Sequence, residues 1–472
     1  MKTLIISDLH LGNGGPYDVF EGQEALPALL DHLGESPLRV LVNGDGVDFL
    51  MNEDPLELDE ARAVEQAAKI VQHPASAAVL HAFGRVLARG GEVTIRLGNH
   101  DVELAFAGVQ AVFREALQQP AHVAEKLVFA HGDAPEILTL GGARILVTHG
   151  EQDDRWNKVD YEKLRAGDKR YAYAPGSVLV KKILNPGTAQ HGMRFLSLLK
   201  PDFQGAALSA LAVDPWVAKQ IFKGATLGML AQLFQRKQMG VTFGDEGAPP
   251  PEASVFEGAG GAPPATDAAG FSEEDTDRRL DLAKLSDEEC EAMESLLDGT
   301  LAVSFGEEDD GVLDRAGVKI GRAALGLYGK LQRKLTGSEG DTYFALEPTP
   351  DEWTEARRLA DKFGAGAVVI GHTHAARWKE EGALVYANTG TWIGLMQLPR
   401  SDANDEQWAE YLHELRRNKG LDPARQALAK ILTRFTAVIV EADARGGAAM
   451  SLVEWKGGEM KTLGQTRVPP AA

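Results

Sequence analysis

Four times in roughly the first 150 residues, a short apolar run ends in a cluster of Gly, Asp, Asn or His. The instances are TLIISDLHLG, RVLVNGDGVDF, EVTIRLGNHD and RILVTHGEQDD. Short apolar runs bounded by turn formers read as buried strands. The stretches between them, such as DEARAVEQAAKIV and ASAAVLHAFGRVLARG, are helix formers, and Gly90-Gly91 stops the second. Strands alternating with helices predict an α/β fold with a largely parallel sheet. Ligands of such sheets gather at the carboxyl ends of the strands, where these polar clusters stand.

The pattern lapses for about 200 residues and then returns. PDEWTEARRLADKFG reads as a helix opened by Thr349-Pro350 and stopped by Gly364. It leads into AVVIGHTH and ALVYANTGTW, and FTAVIVEAD with AAMSLVEWK reads as a closing hairpin. The expected organisation is a core in two parts, 1–153 and 347–458, with an insertion at 154–346 and a loose tail at 459–472. Within the insertion we expect a basic helical cap at 154–240 and an acidic low-complexity linker and helix at 241–310. A basic amphipathic helix is expected at 311–336.

Charge sharpens that division. The net charge of −20 opposes general, non-specific binding to nucleic acid. Yet residues 155–240 hold 14 Lys/Arg against 5 Asp/Glu, and residues 241–310 hold 3 against 20. A basic block is therefore followed directly by an acidic one. The single cysteine, Cys290, rules out an intramolecular disulfide and a thiolate metal cluster. No run reaches the roughly 18 to 20 apolar residues of a membrane span, and MKTLIISDLH is too short for a signal peptide, so a cytoplasmic location is expected.

The polar clusters carry the chemistry. Asp8 and His10 form D-x-H after the first strand; Asp45 lies in GDGVD after the second. Asn99 and His100 lie in GNHD, His149 in THG, and His372 with His374 in GHTH. Imidazole and carboxylate are the usual ligands of Zn²⁺, Mn²⁺ or Fe. One D-x-H or GNHD alone would be turn chemistry, but five such clusters, each capping an apolar run, read as a metal-ligand set.

These motifs resemble the calcineurin-like metallophosphoesterases, whose signature is a D-x-H, G-D, G-N-H-D/E, H and G-H-x-H series. The resemblance covers about 1–150 and 347–455 and implies a metallophosphoesterase four-layer α/β sandwich, two β-sheets flanked by helices, here with a large, mainly helical insertion. It implies two divalent metal ions, Mn first, with Zn, Fe and Ni as alternatives. Asp8, His10 and His374 would hold one metal, Asn99, His149 and His372 the other, and Asp45 would bridge them. Two cations about 3.5–4 Å apart polarise a bound phosphate and lower the pKa of a water between them, so that hydroxide attacks phosphorus in line. The resemblance gives His100 the position facing the scissile phosphate. Asp101 is open to two readings, orienting His100 or capping the next helix.

Other residues are weighed on their surroundings. Asp48, three residues after Asp45, is a candidate support of the site, and Asn13 a candidate phosphate contact or a loop residue. His131 in FAHGD competes with His149, but the second HG ends the better apolar strand. The insertion starts directly after His149, which makes Arg155, Trp156 and Asn157 candidate substrate contacts. The expected substrate is an anionic phosphate ester, a phosphodiester or diphosphate linked to a nucleotide or lipid. The DLHLG start resembles that of UDP-2,3-diacylglucosamine hydrolases. Apolar segments at 196–199 and 229–234 would then touch acyl chains or a membrane surface, with core helices as the alternative. The double-strand-break repair nucleases open similarly, so nucleic acid is the alternative substrate. A non-catalytic scaffold of this fold would lack ligands, and none is missing here.

Overall fold

In this computed structural model the described residues are 1–199 apart from 35, 155, 156, 169 and 170, together with 213, 345–396, 405–422, 424 and 431–471. The chain divides into two compact units. The first holds Met1–Lys181, Thr342–Leu395 and Leu432–Ala472, and the second Lys182–Asp341 and Met396–Ile431.

The first unit is built on two sheets. The four early apolar runs become β1 (Lys2–Ile6), β2 (Leu38–Asn43), β3 (Glu92–Arg96) and β6 (Ala143–Val147), with β4 (Leu127–Ala130) and β5 (Glu136–Leu140) between the last two. The later part supplies β7 (Ala367–Ile370), β8 (Arg377–Glu381) and β9 (Leu384–Asn388). After the short pair β10 (Leu395–Met396) and β11 (Ile431–Leu432) come β12 (Phe435–Ala442), β13 (Ala448–Lys456) and β14 (Glu459–Val468). One sheet has seven strands in the order β14-β13-β12-β1-β2-β3-β4, and the other has five, β5-β6-β7-β9-β8. β1 through β4 run parallel, as do β6, β7 and β9.

Side-chain alternation along the strands sorts the core into layers. Leu4 and Ile6 of β1 face a core with helices α1 (Ala25–Leu33), α2 (Glu60–Gln72), α3 (Pro74–Ala88) and α4 (Ala107–Ala116). Ile5 points the other way, joining Ile145, Val147 and Val369 of the second sheet in a middle core. Leu146 and Val368 lie on that sheet's far side with Trp353 and Leu359 of a further helix, Pro350–Phe363. Helix, sheet, sheet and helix make the expected four-layer α/β sandwich. Each fully buried Val, Ile or Leu contributes about 1.5–3 kcal/mol, so this layering, not local propensity, holds the strand ends in place. The last helix also begins as read: Thr349 accepts from Glu352 N–H, Glu352 accepts from Thr349 N–H, and Gly364 closes it with φ 60°.

Two boundaries differ from the sequence reading. Residues 459–472 were expected as a tail, but Glu459–Val468 pairs along β13 as the edge strand β14. Its polar alternation hid it, because an edge strand with a mostly exposed outer half needs backbone pairing more than apolar side chains. The core was also expected to stop at 153. The first unit instead continues to Lys181, since Val159, Tyr161 and Leu164 are buried against the core of the seven-stranded sheet. Residues 396–431, read as core, fall in the second unit.

The described residues of the second unit are largely helical, including Asn185–His191, Arg194–Leu199 and Asp405–Arg417. Phe195, Leu196 and Leu198 are buried, so this segment is packed core and not the membrane contact considered above. The segments 229–234, 241–310 and 311–336 lie outside the described residues. Among the described residues no helix is long and apolar enough to cross a membrane.

Candidate metal centre

The strand ends of the first unit share an unusual backbone. Among the described residues seven non-glycine residues have positive φ, and five of them are Asp8, His10, Asp45, His372 and His374. An L-residue in the left-handed region is strained by of order 1–3 kcal/mol and persists where the surroundings over-determine it. Here the strain turns each side chain off its strand toward one place. Glycines permit the crowding: Gly44 has φ 86°, and a Cβ there would meet the His149 ring. A Cβ on Gly98 would meet Asp45.

The side chains gather into three groups of three that could hold a cation. Two are separate triads, the first Asp8, His10 and His374 and the second Asp45, His149 and His372; the remaining group, His10, Asp48 and His100, shares His10 with the first triad, and all eight residues are buried. In the first, His374 Nε2 lies 3.3 Å from Asp8 Oδ1 and 3.2 Å from His10 Nε2. In the second, His149 Nε2 lies 3.3 Å from Asp45 Oδ2, and the His149 and His372 rings are 5.1 Å apart. Asn99 stands beside His100 in the GNHD loop, its Oδ1 buried with no hydrogen-bond partner. His131, after the edge strand β4, belongs to neither triad.

Neighbouring groups hold these side chains. Asp8 Oδ2 accepts from Ser7 Oγ and from His372 N–H at 3.0 Å. Its carbonyl accepts from Thr391 Oγ1 at 2.8 Å and from Trp392 N–H at 3.1 Å. Trp392 is fully buried and stacks on Phe435, so the NTGTW segment is a wall behind Asp8. Asp45 Oδ1 accepts from His100 N–H at 2.9 Å, and His149 Nδ1 lies 2.8 Å from Asn43 O. That carbonyl keeps a proton on Nδ1 and turns Nε2 inward.

Neither reading of Asp101 survives. Its carboxylate accepts from Gly98 N–H at 2.6 Å, Gly46 N–H at 2.8 Å and Val47 N–H at 3.3 Å, and it caps no helix. It pins the GNHD loop to the GDG loop. The residue beside His100 is Asp48, whose Oδ2 lies 3.2 Å from His100 Nδ1 and 2.9 Å from His10 Nδ1. The hydrogen-bond angle at His100 is poor, so the proximity is electrostatic, whereas the His10 contact is a hydrogen bond. Asp48 Oδ1 accepts from Leu50 and Met51 N–H, which fixes the carboxylate.

Three supporting groups escaped sequence reading: Asp154, whose Oδ2 lies 3.1 Å from His372 Nε2; Glu151; and Tyr161. Asn157 reaches the site indirectly, donating to Asp154 Oδ2 at 2.7 Å. Asn13 commits its side-chain oxygen to Gly15 N–H at 3.0 Å, the loop role. Arg155 and Trp156 lie outside the described residues.

The electrostatics fit a cation. Burial works against a charged His149 ring, but the carboxylates of Asp45 and Asp8 outweigh it and push its pKa up to about 10. Burial would raise Asp45, yet His149 and His100 hold it well below the usual carboxylate range. Burial, then the Asp45 charge, raises Asp101 well above that range. The cluster thus draws positive charge inward. Asp8 Oδ1, Asn99 Oδ1 and His149 Nε2 are buried without hydrogen bonds. With Nδ1 hydrogen-bonded to Asp48, a neutral His10 turns the Nε2 lone pair toward His374 Nε2. Such a donor set suits divalent cations with nitrogen and oxygen ligands.

Comparison with known proteins agrees. The calcineurin-like phosphoesterase family model matches residues 1–186, which carry four of the five clusters. No curated protein matches the chain.

Proposed function

We propose that this protein is a dinuclear-metal phosphoesterase that hydrolyses a phosphodiester or diphosphate bond in a nucleotide- or lipid-linked anionic substrate. The observation that carries this reading is the convergence of two buried Asp/His triads on strained strand ends, with inward-facing atoms that lack hydrogen-bond partners. Asp8, His10 and His374 would hold one cation, Asn99, His149 and His372 the other, and Asp45 would serve both. When bound, such a pair polarises the phosphoryl group and supplies a nucleophile at neutral pH. Mn²⁺ is the first choice, ahead of Zn, Fe and Ni.

The remaining work belongs to side chains. Asp48 lies 3.2 Å from His100 Nδ1, on one side of the ring, which leaves Nε2 to face substrate. From there His100 stabilises phosphoryl charge or protonates the leaving oxygen. Asp101 holds the loop carrying Asn99 and His100 at the right height against Asp45. The basic residues of 155–240 supply attraction for an anionic substrate.

The test is hydrolysis of bis-p-nitrophenyl phosphate with Mn²⁺, followed by nucleotide diphosphates, lipid-linked diphosphates and single- and double-stranded DNA, each with wild type and His100→Ala. Turnover of a diphosphate or diester that His100→Ala abolishes supports the proposal. Two bound metals with no hydrolysis under any metal would overturn it, and a preference for DNA would transfer the substrate to nucleic acid.

A further inference from the structure

Tyr161 is almost fully buried in the core of the seven-stranded sheet, yet it carries a phenol that needs partners. Its Oη lies 2.6 Å from Glu151 Oε1 and 3.0 Å from Leu97 O. Those partners belong to different loops. Glu151 follows His149 by two residues, and Leu97 precedes Asn99 by two. Glu151 is itself fully buried, with Oε1 also accepting from Gln152 Nε2 at 2.9 Å, while Oε2 has no hydrogen-bond partner. The carboxylate is therefore held through one oxygen.

The chain after Tyr161 keeps to the same loop. Tyr173 Oη donates to Glu103 Oε1 at 2.6 Å, and Ser177 Oγ lies 3.5 Å from Asn99 O. Tyr161, Tyr173 and Ser177 thus each reach a residue of the segment 97–103.

We propose that Tyr161 is a positioning residue that clamps the His149 loop to the Asn99 loop and so preorganises the second cation site. The proposal rests on the dimetal reading above. Two ligands on separate loops must be held at a fixed separation before a cation arrives, and freedom between them is lost on binding at a cost in affinity. The phenol supplies that link from outside the ligand set. The first triad has its own link through Asp48 and needs no help from Tyr161.

Tyr161→Phe keeps the ring and removes the hydroxyl. Mn²⁺ is titrated calorimetrically into metal-free wild type, Tyr161→Phe, Glu151→Gln and Glu151→Ala, with circular dichroism to check folding. Wild type binds two ions. Tyr161→Phe and Glu151→Ala each weaken the second ion by about 10- to 100-fold and leave the first unchanged. Glu151→Gln, which keeps an acceptor for Oη, stays near wild type. Should Tyr161→Phe fail to fold, Glu151→Ala breaks the same clamp from its other end. Wild-type affinity for both ions in the two clamp-breaking variants, or equal weakening of both ions, overturns the proposal. Wild type binding fewer than two ions instead sinks the dimetal reading on which it rests.

Discussion

The two triads are assembled from like parts but are braced unlike one another. In the first, His10 leans on the carboxylate of Asp48, which also lies against His100. In the second, His149 leans on a backbone carbonyl, Asn43 O, and its loop is tied sideways through Glu151 and Tyr161. A carboxylate behind an imidazole strengthens its basicity and favours its charged form; a carbonyl chiefly fixes its tautomer. The first triad is therefore coupled electrically to the residue expected to handle the leaving group. The second is coupled mechanically to the GNHD loop.

Substitutions can break that contrast, and the largest effect belongs to Asp45, the residue proposed to serve both cations. Asp45→Asn removes a charge that faces His149 and also accepts from His100 N–H. Activity should fall by more than about 10³-fold, beyond the loss of one electrostatic donor, and calorimetry should show both ions weakened. Next comes His100→Ala, with kcat down about 10²- to 10⁴-fold while both ions still bind, since His100 is assigned in the proposal to the substrate and not to either cation. Loss of metal in that variant would make His100 a ligand and erase the distinction.

Asp48→Asn tests the coupling itself. It should lower kcat and weaken the first ion by about 10- to 100-fold, leaving the second intact. An effect on the second ion alone would reverse the assignment of braces.

The smallest effect is on stability. Glu103 is fully buried, and burial pushes its pKa up to about 7, against the opposing hydrogen bond from Tyr173 and the charge of Lys181. A carboxyl that takes its proton more readily folded than unfolded favours folding at low pH. That contribution is present below about 4.5 and lost as pH rises through about 7, at most about 1.4 kcal/mol per pH unit. Thermal unfolding in EDTA should show Glu103→Gln flattening the decline between those values. An unchanged slope would mean Glu103 is not the group responsible.

The strand ends were legible because each cluster caps an apolar run whose period announces a strand. His149 could be preferred over His131 for the same reason, and the two fall on different sheets. What stayed hidden depends on contacts between distant parts of the chain. Asp101 sits beside His100 in sequence, but its oxygens bond to backbone groups of Gly46 and Val47 in another loop. The approach of Asp48 to two histidines across 38 and 52 residues likewise has no local signature. Tyr161 was buried within what composition marked as an insertion, and β14 has the polar look of a tail. Left-handed backbone at Asp8, His10 and Asp45 is set by the pull of the surrounding fold, since no glycine occupies those positions.

The most direct check of the dimetal phosphoesterase claim is to count metal and turnover together. Metal-free protein is reconstituted with Mn²⁺, ions per chain are measured by inductively coupled plasma mass spectrometry, and hydrolysis of bis-p-nitrophenyl phosphate is followed at each stoichiometry. The account predicts activity that climbs as the second ion binds and levels off at two per chain, with Asp45→Asn inactive throughout. Full activity at one ion per chain, or none at two, would contradict it.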